Sequence, residues 1–399
     1  MYTKVCPQLC YHMKALYRSH LLWHVPFCCL LIIVLAKCIT PYEPRGVASS
    51  EGILVVEAYI IAPTGSSIKL SRTNSLQDDM PPQKISNAQI NVIDDSGNII
   101  ATANEDSKGE YLINSPISFL PGVKYALDIV TGDDHLRSTF EEPLITPEIQ
   151  DVRWDYKIDE REVDILLSTF DPLQKTEYYL WRYEEDWEYT PQLYAESRWD
   201  PQRYSIVQNT PDNNVYYCWD KDHSKSFILG DIKTLQDGVL KDKLIVNLRS
   251  GDTRFSLLYS ILIKQYSISH DTYKYFESLH MNTSETGGLF APMPTWMEGN
   301  ITNLSNPYES VVGYALISTE TIKRIYIRRG DVPLMSIPTN YECFLEPPGD
   351  IIKLLTTAGR AYELGWGMFD GEYRPLKCVD CLKLGGSKNK PDFWPTSDM

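Results

Sequence analysis

Histidine is scarce in this sequence, and the common motifs of hydrolytic enzymes are missing. Seven of the 399 residues are His, no His-Glu-x-x-His metal motif occurs, and no Gly-x-Ser-x-Gly nucleophile motif occurs either. His270 and His280 stand ten residues apart in a segment with helical character. They therefore do not share a face as a pair of metal ligands would. We predict no catalytic residue, no metal site and no cofactor.

Basic residues are in the minority. The chain has 38 Lys and Arg against 53 Asp and Glu, which gives a formal net charge of −15. Four of the basic side chains and none of the acidic ones lie in residues 1–37, so the rest of the chain is more acidic still. A surface of this sign repels phosphate backbones and anionic lipid headgroups. We therefore predict no nucleic-acid partner.

A hydrophobic run long enough to span a bilayer is also lacking. Leu21–Ala36 holds sixteen residues and is interrupted by His24 and Pro26, whereas a spanning helix needs about 20. The length is that of the apolar core of a signal peptide. We predict that residues 1–37 are a signal peptide, with Met13 as an alternative start that would make it more compact.

The signal peptide is predicted to end at a lipid attachment site. Leu35-Ala36-Lys37-Cys38 has the layout of a bacterial lipobox, in which the cysteine thiol receives lipid such as palmitate and the cysteine begins the mature chain. Lys37 departs from this pattern, because a small residue usually precedes the cysteine. A plain secretory signal cut elsewhere is the alternative. Residues 38–50 are rich in breaker residues without periodicity, which predicts a tether.

Few cysteines remain beyond these segments: Cys218, Cys343, Cys378 and Cys381. An even number in an exported chain indicates two disulfides. The Cys-x-x-Cys spacing of the last two would also suit half a zinc site or a redox pair. A bond between those two would close a very small, strained ring. We predict instead that Cys378 and Cys381 each bond outward, one to Cys218 and one to Cys343.

Helical periodicity is rare, and this absence favours a mainly β fold. Aromatic residues make up 12 % of the chain, with 26 Tyr, and there are 25 Pro. Residues 51–145 hold six strand-like segments with turns at sandwich-like spacing. They are residues 52–61, 67–72, 88–94, 99–103, 111–114 and 125–130. We predict a transthyretin-like or immunoglobulin-like β-sandwich over residues 51–145.

The turns of this first domain resemble those of transthyretin-like domains on exported proteins. The resemblance is carried by the turn at Asp95-Ser96-Gly97, the strand that begins at Gly109-Glu110-Tyr111, and the segment 121–127. It implies a spacer or docking module.

Residues 146–399 are predicted to form a fibronectin-like β domain with an inserted or C-terminal β-rich region, and a division near residue 250 is the alternative. Residues 149–157, 162–168 and 178–188 alternate as strands do, with Trp154, Leu166 and Trp181 as core candidates. The other predicted elements are a loop over 194–214, strands over 254–267, 311–317 and 322–328, and one helix that Ser269 caps and Gly287 ends.

The strand predicted at residues 178–188 carries aromatic rows and three consecutive acids. The rows suit a carbohydrate platform, but we favour an arrangement in which one row fills the sandwich and the other lines its outer face. Neighbours on a strand point to opposite faces, so Glu184, Glu185 and Asp186 make a poor catalytic pair. We interpret them as solvated charges at a sheet edge.

Several short motifs follow one another along the chain. They are Cys38-Ile-Thr-Pro-Tyr-Glu-Pro44, Tyr179-Leu-Trp-Arg-Tyr183, Cys218-Trp219, Gly288-Leu-Phe290 with Pro294 and Gly299-Asn-Ile301, Val312-Gly-Tyr314, and the tail from Cys378 to Trp394. Their order resembles that of the DUF4249 family of Bacteroidetes lipoproteins. The resemblance implies an outer-membrane lipoprotein encoded beside a TonB-dependent transporter. Ligand-binding residues are not indicated by it.

Three functions remain open at this level. The favoured one is a non-catalytic, membrane-tethered accessory or binding protein of a TonB-dependent transporter in nutrient uptake. A fimbria-like structural surface lipoprotein and a hydrolase acting on glycan or peptide are the alternatives. A fimbrial subunit would be expected to carry a detachable strand at one end, whereas this tail is rich in Gly, Lys and Pro.

Overall fold

Extended strands and the hydrogen bonds between them dominate the described chain. The computed structural model describes residues 52–74, 80–200, 205–210, 214–233, 238–251, 253–284, 299–333, 335, 343, 364–366 and 373–396. The predicted signal peptide, Cys38 and the tether lie outside these ranges. The mainly β prediction is confirmed. Within the described residues, no helix has the length and apolar character needed to cross a bilayer.

The strands fall into three successive groups. The first is β1 Leu54–Ala62, β2 Gly65–Arg72, β3 Gln83–Lys84, β4 Gln89–Asp94, β5 Ile99–Glu105, β6 Tyr111–Ile113, β7 Tyr125–Thr131 and β8 Asp134–Ser138. The second is β9 Ile149–Lys157, β10 Glu162–Phe170, β11 Tyr178–Tyr189, β12 Ser197–Asp200, β13 Ser205–Gln208, β14 Cys218–His223, β15 Ile228–Asp231, β16 Val239–Arg249 and β17 Leu258–Ile268. The third is β18 Ile301–Asn303, β19 Val311–Arg328, β20 Leu364–Trp366 and β21 Tyr373–Pro375.

In the part of the chain that the structure describes, two α-helices accompany these strands, α1 His270–Ser284 and the short α2 Leu376–Val379. Helix α1 begins as predicted, because the Ser269 hydroxyl accepts the Thr272 N–H at 3.2 Å. Its Phe276 is buried beside Tyr178 and Leu180 of β11. The helix therefore covers one face of that strand.

The largest sheet runs in the order β14-β11-β17-β19-β1-β2-β6-β5-β4-β7-β8-β18. The 18-residue strand β19 joins two parts of this sheet. The first half of β19 pairs in parallel with β1, from Val311 opposite Leu54 to Thr319 opposite Ala62. The second half pairs antiparallel with β17. A single strand thus carries main-chain hydrogen bonds to both the first and the second strand group.

Alternating apolar residues explain which faces of these strands are buried. Val56, Ala58 and Ile60 of β1 lie in a core that the strands β1 to β8 share with the start of β19. A second core lies between β11, β17 and the separate sheet β16-β10-β9, and it includes Trp181 and Tyr259. Two sheets facing one another across such a core make a sandwich-like arrangement.

The segment predicted as a hinge, residues 143–147, is bonded to β19. The Thr146 N–H donates to the Thr319 hydroxyl at 2.7 Å, and the Thr146 hydroxyl donates to the Thr319 carbonyl at 2.6 Å. Thr146 is buried. The domain boundary at residues 145 and 146 stays a prediction.

Three sequence predictions need correction. Residues 194–214 are not wholly a loop, because β12 and β13 pair there as a hairpin. Residues 311–317 and 322–328 are one continuous strand, since the polar residues between them keep the extended pairing. Leu166 is half-buried, whereas Val163, Ile165 and Leu167 on the other face of β10 fill the core. Trp181 is fully buried and Trp154 packs on the same core.

Candidate functional site

A cleft of about 810 Å³ opens between strands β1, β2 and β6 on one side and β11, β17 and β19 on the other. Its lining mixes aromatic, aliphatic and charged side chains. They include Glu57, Tyr59, Ile61, Lys69, Glu110, Arg182, Phe227, Leu262, Lys264, Tyr266, Glu320 and Ile322. We call it the Arg182 cleft. Its residues come from six strands and the segment before β15, so tertiary folding alone assembles it.

The Arg182 guanidinium lies over two neighbouring aromatic rings of this cleft. Its guanidinium carbon lies 5.4 Å from the centre of the Tyr59 ring and 5.6 Å from that of Phe227. These distances are within the range of cation–π attraction. The half-buried side chain is thus fixed by ring faces.

The alternation of β11 explains why Arg182 reaches the cleft. Tyr178, Leu180 and Arg182 point to the same face of the strand. Tyr178 and Leu180 are buried in the core that α1 covers. Phe227 belongs to the same cluster and lies 4.6 Å from the Phe276 ring of the helix. Arg182 therefore stands where this aromatic core meets the cleft.

The other cations of the cleft have carboxylate partners. Lys69 Nζ lies 3.5 Å from Glu110 Oε1, and Lys264 Nζ lies 2.5 Å from Glu184 Oε1. Glu320 accepts a hydrogen bond of 2.5 Å from the Thr64 hydroxyl. Among the residues that the structure describes, no carboxylate lies at ion-pair distance from Arg182. Arg182 is therefore a cation of the cleft that none of the described carboxylates neutralises at ion-pair distance.

Two tyrosine hydroxyls in the cleft stay protonated at neutral pH. Burial raises the pKa of Tyr59 to about 12, although the nearby Arg182 guanidinium acts in the opposite direction. Burial, together with the neighbouring Glu320 carboxylate, also raises the pKa of Tyr266. The Tyr266 hydroxyl is hydrogen-bonded to Glu320, so Tyr59 is the neutral donor that the cleft offers beside the Arg182 cation.

The three acids of β11 do not lie at a sheet edge, because β11 is an interior strand between β14 and β17. Glu184 meets Lys264, and Asp186 meets Arg324 at 3.2 Å. Glu185 is 2 % exposed and is described next. The interpretation as charges at a sheet edge is therefore wrong for all three acids, and the interpretation as solvated charges holds for the exposed Glu184 alone.

Glu185 is a buried carboxylate with two donors. The Tyr259 hydroxyl donates to it at 2.5 Å, and Arg254 Nε lies 3.2 Å from its Oε1. The Arg254 guanidinium also stacks over Trp187 at 5.0 Å. Burial raises the pKa of Glu185, against the opposing effects of these two donors. The contacts describe a structural ion pair inside the second core, away from the Arg182 cleft.

The two aromatic rows of β11 are both buried. Tyr179 and Trp181 stack with ring centres 5.5 Å apart in the second core. Tyr178 and Leu180 on the opposite face lie beneath α1. Tyr179 and Trp181 fill the sandwich core as predicted, whereas Tyr178 and Leu180, predicted to line the outer face, are buried under the helix.

The predicted disulfide cysteines form two bonds. Cys218 pairs with Cys381, 163 residues away, and Cys343 pairs with Cys378, 35 residues away. Cys378 and Cys381 thus bond outward, as predicted, and Cys218 lies at the start of β14. Within the described residues, no group of three or more His, Cys, Asp or Glu is arranged as a metal site. Cys38, the predicted lipidation site, lies outside the described residues.

Sequence reasoning missed the Arg182 cleft. Arg182 was placed only as a member of a strand row, because its ring partners Tyr59 and Phe227 are distant in the chain. The sequence does contain one indication of the cleft. The charged Arg182 lies on the same face of its strand as the buried Tyr178 and Leu180. A charge at the end of an apolar strand face indicates a place where that face opens to solvent.

A comparison with family models and curated proteins places the chain in one family. No curated protein matches the chain. The model described as a domain of unknown function, DUF4249, matches residues 39–324. The match begins just after Cys38 and covers the strands that line the Arg182 cleft. Because the model spans most of the sequence, the chain belongs to the DUF4249 family.

Proposed function

We propose that this protein is a non-catalytic lipoprotein of the cell envelope that captures a small solute in the Arg182 cleft. The cleft itself carries the proposal. Its volume of about 810 Å³ falls in the range of small-molecule sites, which combine apolar walls with a few polar groups. The Arg182 cleft has this composition, with Tyr59, Phe227 and Leu262 beside Arg182 and Lys264.

The described acids support binding rather than catalysis. A general acid or base must reach the bound substrate. Glu185, whose pKa is raised by burial, is held by Tyr259 and Arg254 and is not among the cleft residues. Of the three acids that line the cleft, Glu110 pairs with Lys69 and Glu320 accepts a hydrogen bond from Thr64, whereas Glu57 is exposed to solvent. These contacts favour a site that holds its ligand unchanged.

The proposed location rests on the N-terminal sequence. The apolar run Leu21–Ala36 followed by Cys38 has the pattern of a lipoprotein signal. Together with the likeness to Bacteroidetes lipoproteins noted above, it supports a lipid anchor in the outer membrane. A tethered binding protein can raise the local concentration of its solute at a neighbouring transporter. We propose a TonB-dependent transporter as that partner.

The test is purification of the full chain from its native envelope in mild detergent. Native mass spectrometry of the purified protein should show a bound small molecule, and a β-barrel transporter should co-purify with it. The Cys38→Ala variant serves as the control for the tether and should retain the solute while losing the transporter. A protein that carries no solute and no transporter, or one that turns over substrate, would overturn the proposal.

A further inference from the structure

Arg182 carries a positive charge that no described carboxylate neutralises at ion-pair distance. Its guanidinium lies over the rings of Tyr59 and Phe227, and in the described part of the chain no hydrogen bond or ion pair joins it to an acceptor. The guanidinium fork matches a carboxylate with two parallel bonds. Ring stacking uses the faces of the guanidinium and leaves the donors in its plane.

The other charged residues of the cleft limit how much negative charge a bound anion can carry. Lys69 and Lys264 are each occupied by a carboxylate. Glu57, Glu110 and Glu320 also line the cleft. These three acids disfavour a ligand with two negative charges, because like charges repel strongly in a partly desolvated site. A single carboxylate needs only the one cation that is free to pair.

The walls next to Arg182 are apolar. Tyr59 and Phe227 lie with ring centres 6.2 Å apart, and Ile61 and Leu262 line the same cleft. An aromatic or aliphatic group adjoining the carboxylate would bury its surface here as the carboxylate meets Arg182. The cleft therefore favours a ligand that carries both a carboxylate and an apolar group.

We infer that the Arg182 cleft binds a monocarboxylate whose acid group adjoins an aromatic or aliphatic group. Arg182 binds the carboxylate, and Tyr59 and Phe227 contact the apolar portion. This inference rests on the proposed binding function and adds to it the chemical class of the solute.

The experiment uses three probes on the detergent-purified full chain: N-acetyl-L-phenylalanine, its carboxamide, and phenyl phosphate. Titration calorimetry should show the acid binding at least about tenfold more tightly than either of the others. Arg182→Gln should abolish the difference between acid and amide. Arg182→Lys should restore part of it, since lysine keeps the charge but lacks the fork.

Lys233→Gln is the control, because Lys233 is a cation that lies 3.9 Å from the Glu177 carboxylate and is not among the residues that line the cleft. This variant should keep the preference for the acid, and thermal unfolding should show that every variant is folded. Equal affinity for acid and amide, no binding of the acid, or a preference that survives Arg182→Gln would overturn the inference. An uncharged solute found in the native protein would overturn it while leaving the binding function in place.

Discussion

At the scale of single residues, the structure depends on close contacts that the sequence does not reveal. Gly230 is an example, because it lies against the ring of the fully buried Trp181. A Cβ atom at this position would come within 2.6 Å of the ring carbon Cζ3. Trp181 cannot easily withdraw, since its indole N–H donates to Gln265 at 2.9 Å. Gly230 therefore sets how closely β15 approaches the core of β11.

We expect Gly230→Ala to destabilise the protein by about 1–3 kcal/mol, which is typical of overpacking in a core. Gly330→Ala is the control, because Gly330 is exposed, does not need a positive φ and has no heavy atom near its Cβ position. Its effect should stay within about 0.5 kcal/mol. Urea unfolding of both variants measures the difference. Equal stability of the two variants would show that the Trp181 ring moves aside and accommodates the added methyl group.

Glu141 is a carboxylate whose contacts are hydrogen bonds and not ion pairs. The Tyr314 hydroxyl donates to it at 3.3 Å, and the Asn300 amide donates at 3.3 Å. Burial raises the pKa of Glu141 above its usual value of 4.5, although these donors act in the opposite direction. The folded protein thus binds the Glu141 proton more tightly than the unfolded chain does.

The raised pKa of Glu141 makes the stability of the folded protein depend on pH in a direction that can be predicted. The contribution of protonated Glu141 is complete below pH 4.5 and is lost as the pH rises through the raised pKa of the folded state. The stability of the native protein relative to Glu141→Gln should therefore fall as the pH rises through this window. Unfolding curves of both proteins at a series of pH values provide the measurement. A difference that is constant, or that grows with pH, contradicts the assignment.

At the scale of elements, strand existence was predictable and assembly was not. Alternating apolar residues identified β1, β9 and β11 nearly to their ends, because a half-buried strand imposes a period of two. The hairpin of β12 and β13 was missed, since its Pro, Asp and Asn residues have the composition of a loop. The Arg182 cleft could not be foreseen, because nothing local to Arg182 indicates that Tyr59 and Phe227 will meet it.

The C-terminal elements are joined to the sheet by covalent bonds and by main-chain contacts. Trp219 and Ser387 form an isolated bridge next to the Cys218–Cys381 disulfide. Gly386 approaches Cys218 so closely that a side chain would collide with the Cys218 Cβ. The tail is thus fixed on the edge strand β14.

We expect non-reducing peptide mapping to find Cys218 linked to Cys381 and Cys343 linked to Cys378. Removing the first bond by Cys218→Ala with Cys381→Ala should cost about 3–5 kcal/mol, because the bond closes a loop of well over 100 residues in the unfolded chain. The second pair of alanine variants, at the 35-residue separation, should cost less. A Cys378–Cys381 bond or four free thiols would contradict the pairing.

At the scale of the whole molecule, location is predicted by residues outside the described part of the chain. We expect Cys38→Ala to move the protein from the membrane fraction to the soluble fraction and to prevent its labelling with palmitate. One acyl chain binds membranes only weakly, whereas the several chains of a lipoprotein anchor hold firmly. Fractionation with Cys343→Ala as control separates loss of the anchor from misfolding. A Cys38→Ala protein that still pellets with membranes would refute the lipoprotein assignment.

The parallel pairing of β1 with β19 also has a consequence for the time course of biogenesis. Leu54 pairs with Val311, so β1 is synthesised more than 250 residues before β19, the strand with which it pairs. At about 5–20 residues per second, that delay amounts to roughly ten seconds or more. During this interval one edge of β1 has no partner and is open to association with other chains. Synthesis of this protein therefore includes a period of exposure that ends only when Val311–Arg328 has been made.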